Sequence, residues 1–166
     1  MSSKVKNNNV SLICGGALAA ISLAVILAAG SPYDVAHKIG VYKMIPPVWM
    51  WCLSTVIFGF LVGYAFGAVA AEVLSEKVCR DNVIWAYRGG MVFVCTYLRS
   101  LAHYPLLFVG ERMVIALILA LLALLCSILC IFCWSRVSIV ATIIMGIYTV
   151  WIAYVLFVNG YVVLNI

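Results

Sequence analysis

The stretch MVIALILALLALLCSILCIFCW, Met113 to Trp134, contains no charged side chain and is built mainly of Leu, Ala and Ile. Wound as a helix at 1.5 Å per residue it reaches about 33 Å, slightly more than the roughly 30 Å hydrocarbon core of a bilayer. A strand reading fails. The apolar run is continuous instead of alternating, and an open strand leaves its backbone groups unsatisfied in lipid. The same reading extends outward in both directions. Residues 10–30, 45–71 and 137–164 are also uncharged, the last continuing so to Ile166. Residues 82–109 are apolar too, but carry Arg88 near the start and Arg99 and His103 in the second half. Five transmembrane helices with short loops follow, making residues 1–166 one all-α membrane bundle without a separate soluble domain.

Composition agrees with this. The chain of 166 residues is 67% hydrophobic and 9% charged, with a mean hydropathy of +1.23. A soluble domain of that size needs roughly 25% charged residues to make a wet surface. A nucleic-acid binder, a secreted disulfide scaffold and a disordered tail are excluded, and the lipid bilayer is the first partner. The net charge of +5 belongs to membrane-flanking segments. Lys4 and Lys6 precede the first span, and Ala28, Ala29 and Gly30 end it as at a signal-peptide cleavage site. Its apolar stretch of about 20 residues exceeds the 7–15 of a signal core, so a retained helix is expected. With five spans, one side holds Lys4, Lys6, Lys77, Arg80, Arg88 and Arg136, and the other Lys38, Lys43 and Arg112. The excess leans the N-terminus inside, although Glu72, Glu76 and Asp81 sit among the basic residues.

Three patterns mark packing or a site. Gly59, Gly63 and Gly67 fall within one 80° sector of the second helix, a groove for close approach of another backbone. Packing within the chain and a homodimer seam both suit it. Trp49 projects at the azimuth of Gly67, behind Pro46 and Pro47 at the helix start. On the fifth helix Tyr148, Trp151, Val155, Asn159 and Val162 form a stripe, and Asn159 should turn that stripe toward protein or a cavity. On the third, Thr96, Arg99, Ser100 and His103 share a face. A charge at that depth must pair, snorkel or meet water, so the face either packs on a neighbour or offers a cation and an imidazole to a ligand.

Six of the seven cysteines lie within spans, where Cys acts as a small apolar residue. Cys126, Cys130 and Cys133 share a face of the fourth helix, but further metal ligands are not visible nearby, and an odd count argues against a disulfide framework. No metal is expected. No carboxylate lies in any span and no phosphate loop or nucleophile–base pair is present, so no catalytic residues are assigned.

Two blocks resemble the TspO/MBR family of tryptophan-rich sensory and translocator proteins. One is Pro46, Pro47 and Trp49 followed by Gly63 and Ala65; the other is Tyr148, Trp151, Tyr154 and Asn159, with Leu164 and Asn165 after them. A fainter block spans Pro105, Phe108 and Ala116, and the first helix matches by hydropathy only. Several family positions differ. The Trp-Tyr pair of the first loop is replaced by Asp34-Val35-Ala36-His37, a second-helix Trp by Thr55, and the third helix's Gln, Asn and Trp by Thr96, Ser100 and His103.

The resemblance implies a five-helix bundle, often a homodimer, with a pocket between helices for porphyrin, haem or, in animal members, cholesterol. Such a ligand would be bounded by Pro47, Trp49, Thr55, Ser100, His103, Tyr148, Trp151 and Asn159. Aromatic faces would stack on it; the polar face of the third helix, and not the resemblance, adds that Arg99, or else Lys43, could meet its carboxylates and that His103 could ligate haem iron. No obligatory cofactor is expected. A binding or sensory protein is the first reading, ahead of a transporter of tetrapyrroles or lipids and a porphyrin-degrading enzyme. Without a presequence, a bacterial inner membrane is expected over a mitochondrial one.

Overall fold

A computed structural model describes residues 3–29, 48–75, 79–108 and 112–164, and within them every element is a helix. In chain order these are α1 (Ser3–Ala29), α2 (Val48–Leu74), α3 (Arg80–Phe108), α4 (Met113–Trp134) and α5 (Ile139–Leu164). All five expected helices are present. Four of them, over Asn8–Ala28, Cys52–Leu74, Met113–Trp134 and Ile139–Tyr161, are long and apolar enough to cross a membrane, which defines a multi-pass membrane protein. Of the five expected spans, α3 alone falls short of that apolarity. Arg88 and Arg99, with Asn82 and the paired Gly89 and Gly90, dilute its apolar residues below the level of the others.

The turn from α4 to α5 shows why one long apolar region becomes two helices. Backbone N–H groups of Val137 and Ser138 bond back to Trp134 O at 2.9 Å, and Ser135 N to Ile131 O at 2.9 Å, closing α4. Ser138 Oγ then accepts from Ala141 N at 3.5 Å, a long N-cap bond that satisfies one of the free donors opening α5. Arg136 stays in the turn between them.

Packing follows a ring: α1 against α2, α2 against α5, α5 against α4, α4 against α3, and α3 back onto α1, with a lighter α2–α3 contact. In lipid the apolar effect does not hold helices together, so close backbone approach and buried polar bonds must do so. The α1–α2 seam shows the first device. A Cβ on Gly63 would lie 2.5 Å from Cys14 O and 2.9 Å from Gly15 Cα, and one on Gly67 would lie 2.6 Å from Ser11 Cα. Gly59 faces Ser22 and Leu18, so the two helices run antiparallel. The glycine groove is therefore filled by α1 of the same chain. Of the two readings of that stripe, the intrachain one describes the molecule.

On α4 a second seam is made of small residues at Ala116, Ala120, Ala123, Ser127 and Cys130, all buried, with Trp134 closing the row. Spacings alternating between four and three keep them on one face, and Cys130 and Cys133 serve there as small apolar groups. All seven cysteines are free. Phe93 of α3 meets Trp134 of α4 at 5.4 Å between ring centres and Phe66 of α2 at 5.2 Å, inclined by 18° to the latter. Polar residues go inside: Ser11, Ser22, Thr96, Ser127 and Asn159 are buried, whereas Leu27, Met91, Phe132, Val150 and Leu164 face outward. This inversion of the soluble pattern is what a lipid solvent selects.

Candidate functional site

All five helices contribute to one central cavity of about 80 Å³. Its wall is Ser22 from α1, Thr55, Phe58 and Gly59 from α2, Tyr97, Arg99 and Ser100 from α3, Leu119, Ala120 and Ala123 from α4, and Tyr148, Trp151 and Val155 from α5. The aromatic side is ordered by contact. Phe58 stacks on Trp151 with ring centres 5.1 Å apart and planes inclined by 21°, and Tyr148 meets Phe58 at 5.9 Å in a tilted arrangement. Aromatic pairs at such distances hold one another in place and present ring faces to whatever lies beside them.

Proton counting gives the direction of the polar bonds. Tyr97 has one hydroxyl proton and donates it to Leu18 O at 2.7 Å, so Ser22, whose Oγ lies 2.9 Å from the phenol oxygen, must donate to Tyr97. Ser100 likewise donates to Thr96 O at 2.9 Å, which makes Tyr148 the donor in the 2.7 Å bond between their hydroxyls. These hydroxyl protons are committed within the protein, leaving oxygen lone pairs as the free capacity of those groups. Cutting the second of these links tests its worth. Tyr148→Phe is expected to lower unfolding stability in detergent by about 1 kcal/mol, with Ser100→Ala adding little on top, as measured by denaturant titration.

Arg99 supplies what the hydroxyls do not. Its Nη1 donates to Cys126 Sγ on α4 at 3.1 Å, and no acceptor for its other N–H groups is present among the described residues. A guanidinium carries five donors, of which one is used among the described residues, so a cation stands at the wall of the cavity. The site is thus a ring-lined space with lone pairs on one wall and one delocalised positive charge.

Of the residues singled out in the sequence, Thr55, Arg99, Ser100, Tyr148 and Trp151 come together here. Trp49 does not: it is 65% exposed at the start of α2. Asn159 is fully buried farther along α5, outside the cavity wall. Lys43 and Pro47, and the side chain of His103, lie outside the described residues. Ser22, Phe58 and Tyr97 were missed. Ser11 and Ser22, eleven residues apart on one face of an apolar run, were the available signal for the first of them.

A second, wider space lies between the later half of α2 and the first half of α3. This groove of about 600 Å³ is lined by apolar residues including Phe66, Val69, Val73, Tyr87, Met91 and Val94. Among the described residues no group of three or more His, Cys, Asp or Glu is placed to hold a metal ion. No family model, curated protein or solved structure matches the chain.

Proposed function

We propose that this chain is a five-span membrane protein that binds a hydrophobic planar ligand between its helices, in the manner of the TspO/MBR proteins it resembles. The observation that carries the reading is Arg99, a cation whose one hydrogen bond among the described residues goes to Cys126, lining the same cavity as the Phe58–Trp151 stack, a cavity reached by every helix. A flat apolar ligand with an acidic or acceptor group complements that pair of features. Porphyrins, with their propionates, are such ligands.

The fifth crossing is α3. Its outward residues Ile84, Tyr87, Met91, Val94 and Leu98 repeat at helical spacing and are all exposed. Its polar residues Thr96, Tyr97, Arg99 and Ser100 turn inward. A helix of modest mean apolarity with an apolar outer stripe belongs in the same bilayer as its neighbours.

Volume limits the ligand. Sites for drug-sized molecules measure about 300–1,000 Å³, so a cavity of about 80 Å³ does not take a whole porphyrin or haem as it stands. It takes a ring-sized portion, and a full macrocycle requires the helices to part. The site is read as a binding or sensory one, and no chemical step is assigned to it.

Titration of the detergent-purified chain with protoporphyrin IX, haem and a sterol, read by absorbance and tryptophan quenching, tests this. Saturable binding of protoporphyrin IX is expected, weakened about tenfold in Trp151→Phe and tenfold or more in Arg99→Gln. The dimethyl ester, which lacks the carboxylates, should bind wild type and Arg99→Gln alike. Absence of saturable binding to any of the three, in protein with a cooperative unfolding transition, would sink the proposal. A second reading is favoured by the 600 Å³ groove. A sterol or lipid chain held there would bind independently of Trp151.

A further inference from the structure

A separate polar arrangement stands at the other end of α3, remote from the central cavity. Arg88 of α3 and Arg136 of the α4–α5 turn both lie over the indole of Trp85, their guanidinium carbons 5.2 and 4.9 Å from its ring centre. Since both are measured from one point, the two charges are at most about 10 Å apart, close to a Debye length at physiological salt, so an ion near one feels both. Both arginines are exposed, Trp85 is half-buried, and neither guanidinium meets a carboxylate among the described residues.

Two like charges gathered on one ring repel each other, and each cation–π contact offsets only part of that at an exposed position. Stacking uses the face of a guanidinium and leaves its in-plane N–H edge free. With their guanidinium carbons at most about 10 Å apart, two such edges can both turn toward the oxygens of one phosphate, which guanidinium binds in a forked geometry. The arrangement concentrates positive charge and free N–H edges around one ring.

Its place in the bundle indicates which anion. Arg136 follows the last residue of α4 by two positions, so the pair sits at the end of a membrane-spanning helix, and the half-buried Trp85 lies at that same end. Tryptophan is enriched at the headgroup level of a bilayer, and arginine in the loops that flank its spans. The described segments meeting at this end carry Lys4, Lys6, Arg80, Arg88 and Arg136 in sequence, against Glu72 and Asp81. That excess of positive charge belongs beside anionic lipid.

We propose that Arg88, Arg136 and Trp85 form a phosphate site that takes the headgroup of an anionic phospholipid. The test uses the full chain in neutral detergent, titrated with short-chain phosphatidylglycerol, short-chain phosphatidylcholine and inorganic phosphate. Phosphatidylglycerol is expected to bind at least tenfold more tightly than phosphatidylcholine. Arg88→Gln and Arg136→Gln should each weaken it about fivefold, and Arg88→Lys, which keeps charge but loses the fork, should fall between. Arg80→Gln, an exposed charge at the same end but away from Trp85, should stay within twofold. All these positions are exposed, so the lipid-free melting temperature checks that each variant is folded. Equal loss in Arg80→Gln would mean diffuse attraction and overturn the site. Unchanged binding in the Arg88→Gln/Arg136→Gln double variant would do the same. Inorganic phosphate binding as tightly as the lipid would overturn the assignment to a headgroup and leave free phosphate as the source.

Discussion

Replacing Gly63 by leucine is expected to lower the unfolding stability of the detergent-solubilised chain by about 3 kcal/mol, the upper end of overpacking effects. The reason is what the new side chain meets. A Cβ alone would stand 2.5 Å from Cys14 O, 2.9 Å from Gly15 Cα and 3.0 Å from Cys14 C, all backbone atoms of α1. No rotamer change relieves a backbone clash, so α1 must move away as a body and take its contacts with it. Gly67 is opposed in the same way, by Ser11 Cα at 2.6 Å and Val10 O at 3.0 Å. Gly59 is opposed first by Ser22 Oγ, the end of a side chain. Its alanine variant should therefore do less harm, chiefly by turning Ser22 away from Tyr97. Gly16 and Gly146, where an added Cβ meets nothing within 4 Å, provide the control. Leucine at either should be neutral or slightly stabilising, through helix propensity. Equal melting temperatures for Gly63→Leu and Gly16→Leu would refute the seam.

That seam also shows how far sequence carries in a membrane chain. Long uncharged runs specify α1, α2, α4 and α5 directly, because a bilayer tolerates little else over such lengths. The glycine spacing indicated a close contact but not its partner, since a groove on one helix is equally suited to a neighbour in the chain or to another copy. Only the antiparallel register, Gly59 opposite Ser22 and Gly67 opposite Ser11, decides between them. Trp49 illustrates the limit of azimuth. It shares the side of α2 that Gly67 occupies, yet the indole is exposed.

The candidate site divides along similar lines. Thr55, Arg99, Ser100, Tyr148 and Trp151 were legible because a polar or aromatic residue in a span stands out against Leu and Ile. Phe58 and Tyr97 were not, being ordinary aromatics on helices rich in them. What places them is the ring of helices, which brings Phe58 against Trp151 and Tyr97 against Ser22. The cavity's size was equally hidden. Spacing says which side chains share a face, but the space left between faces depends on how closely small residues on α2 and α4 allow the backbones to approach.

The α3–α4 boundary yields the second large effect. Gly89→Val is expected to destabilise the chain by about 3 kcal/mol, measured as a fall in melting temperature and in the midpoint of denaturant unfolding. A Cβ at this position overlaps Cδ1 and Nε1 of Trp134 and comes within 2.9 Å of Cys133 Cβ. The indole has no room to yield. It is fully buried, held by Phe93 at 5.4 Å and Phe66 at 6.5 Å. Trp134→Leu alone should also destabilise, by leaving part of that volume empty. Combined, the two changes should cost less than their sum by about 1 kcal/mol or more, because the smaller side chain makes room for the valine. Strict additivity would mean that Gly89 and Trp134 do not touch. The consequence reaches beyond stability. Gly89 follows Arg88, and Trp134 precedes the turn holding Arg136, so forcing these helices apart should also separate the two arginines. Gly89→Val is then expected to weaken phosphatidylglycerol binding, although it removes no charge. If the variant melts with the wild type, α3 is not seated against α4 at this level. The apolar outer stripe that argues for a fifth crossing would then lose the inner face it depends on.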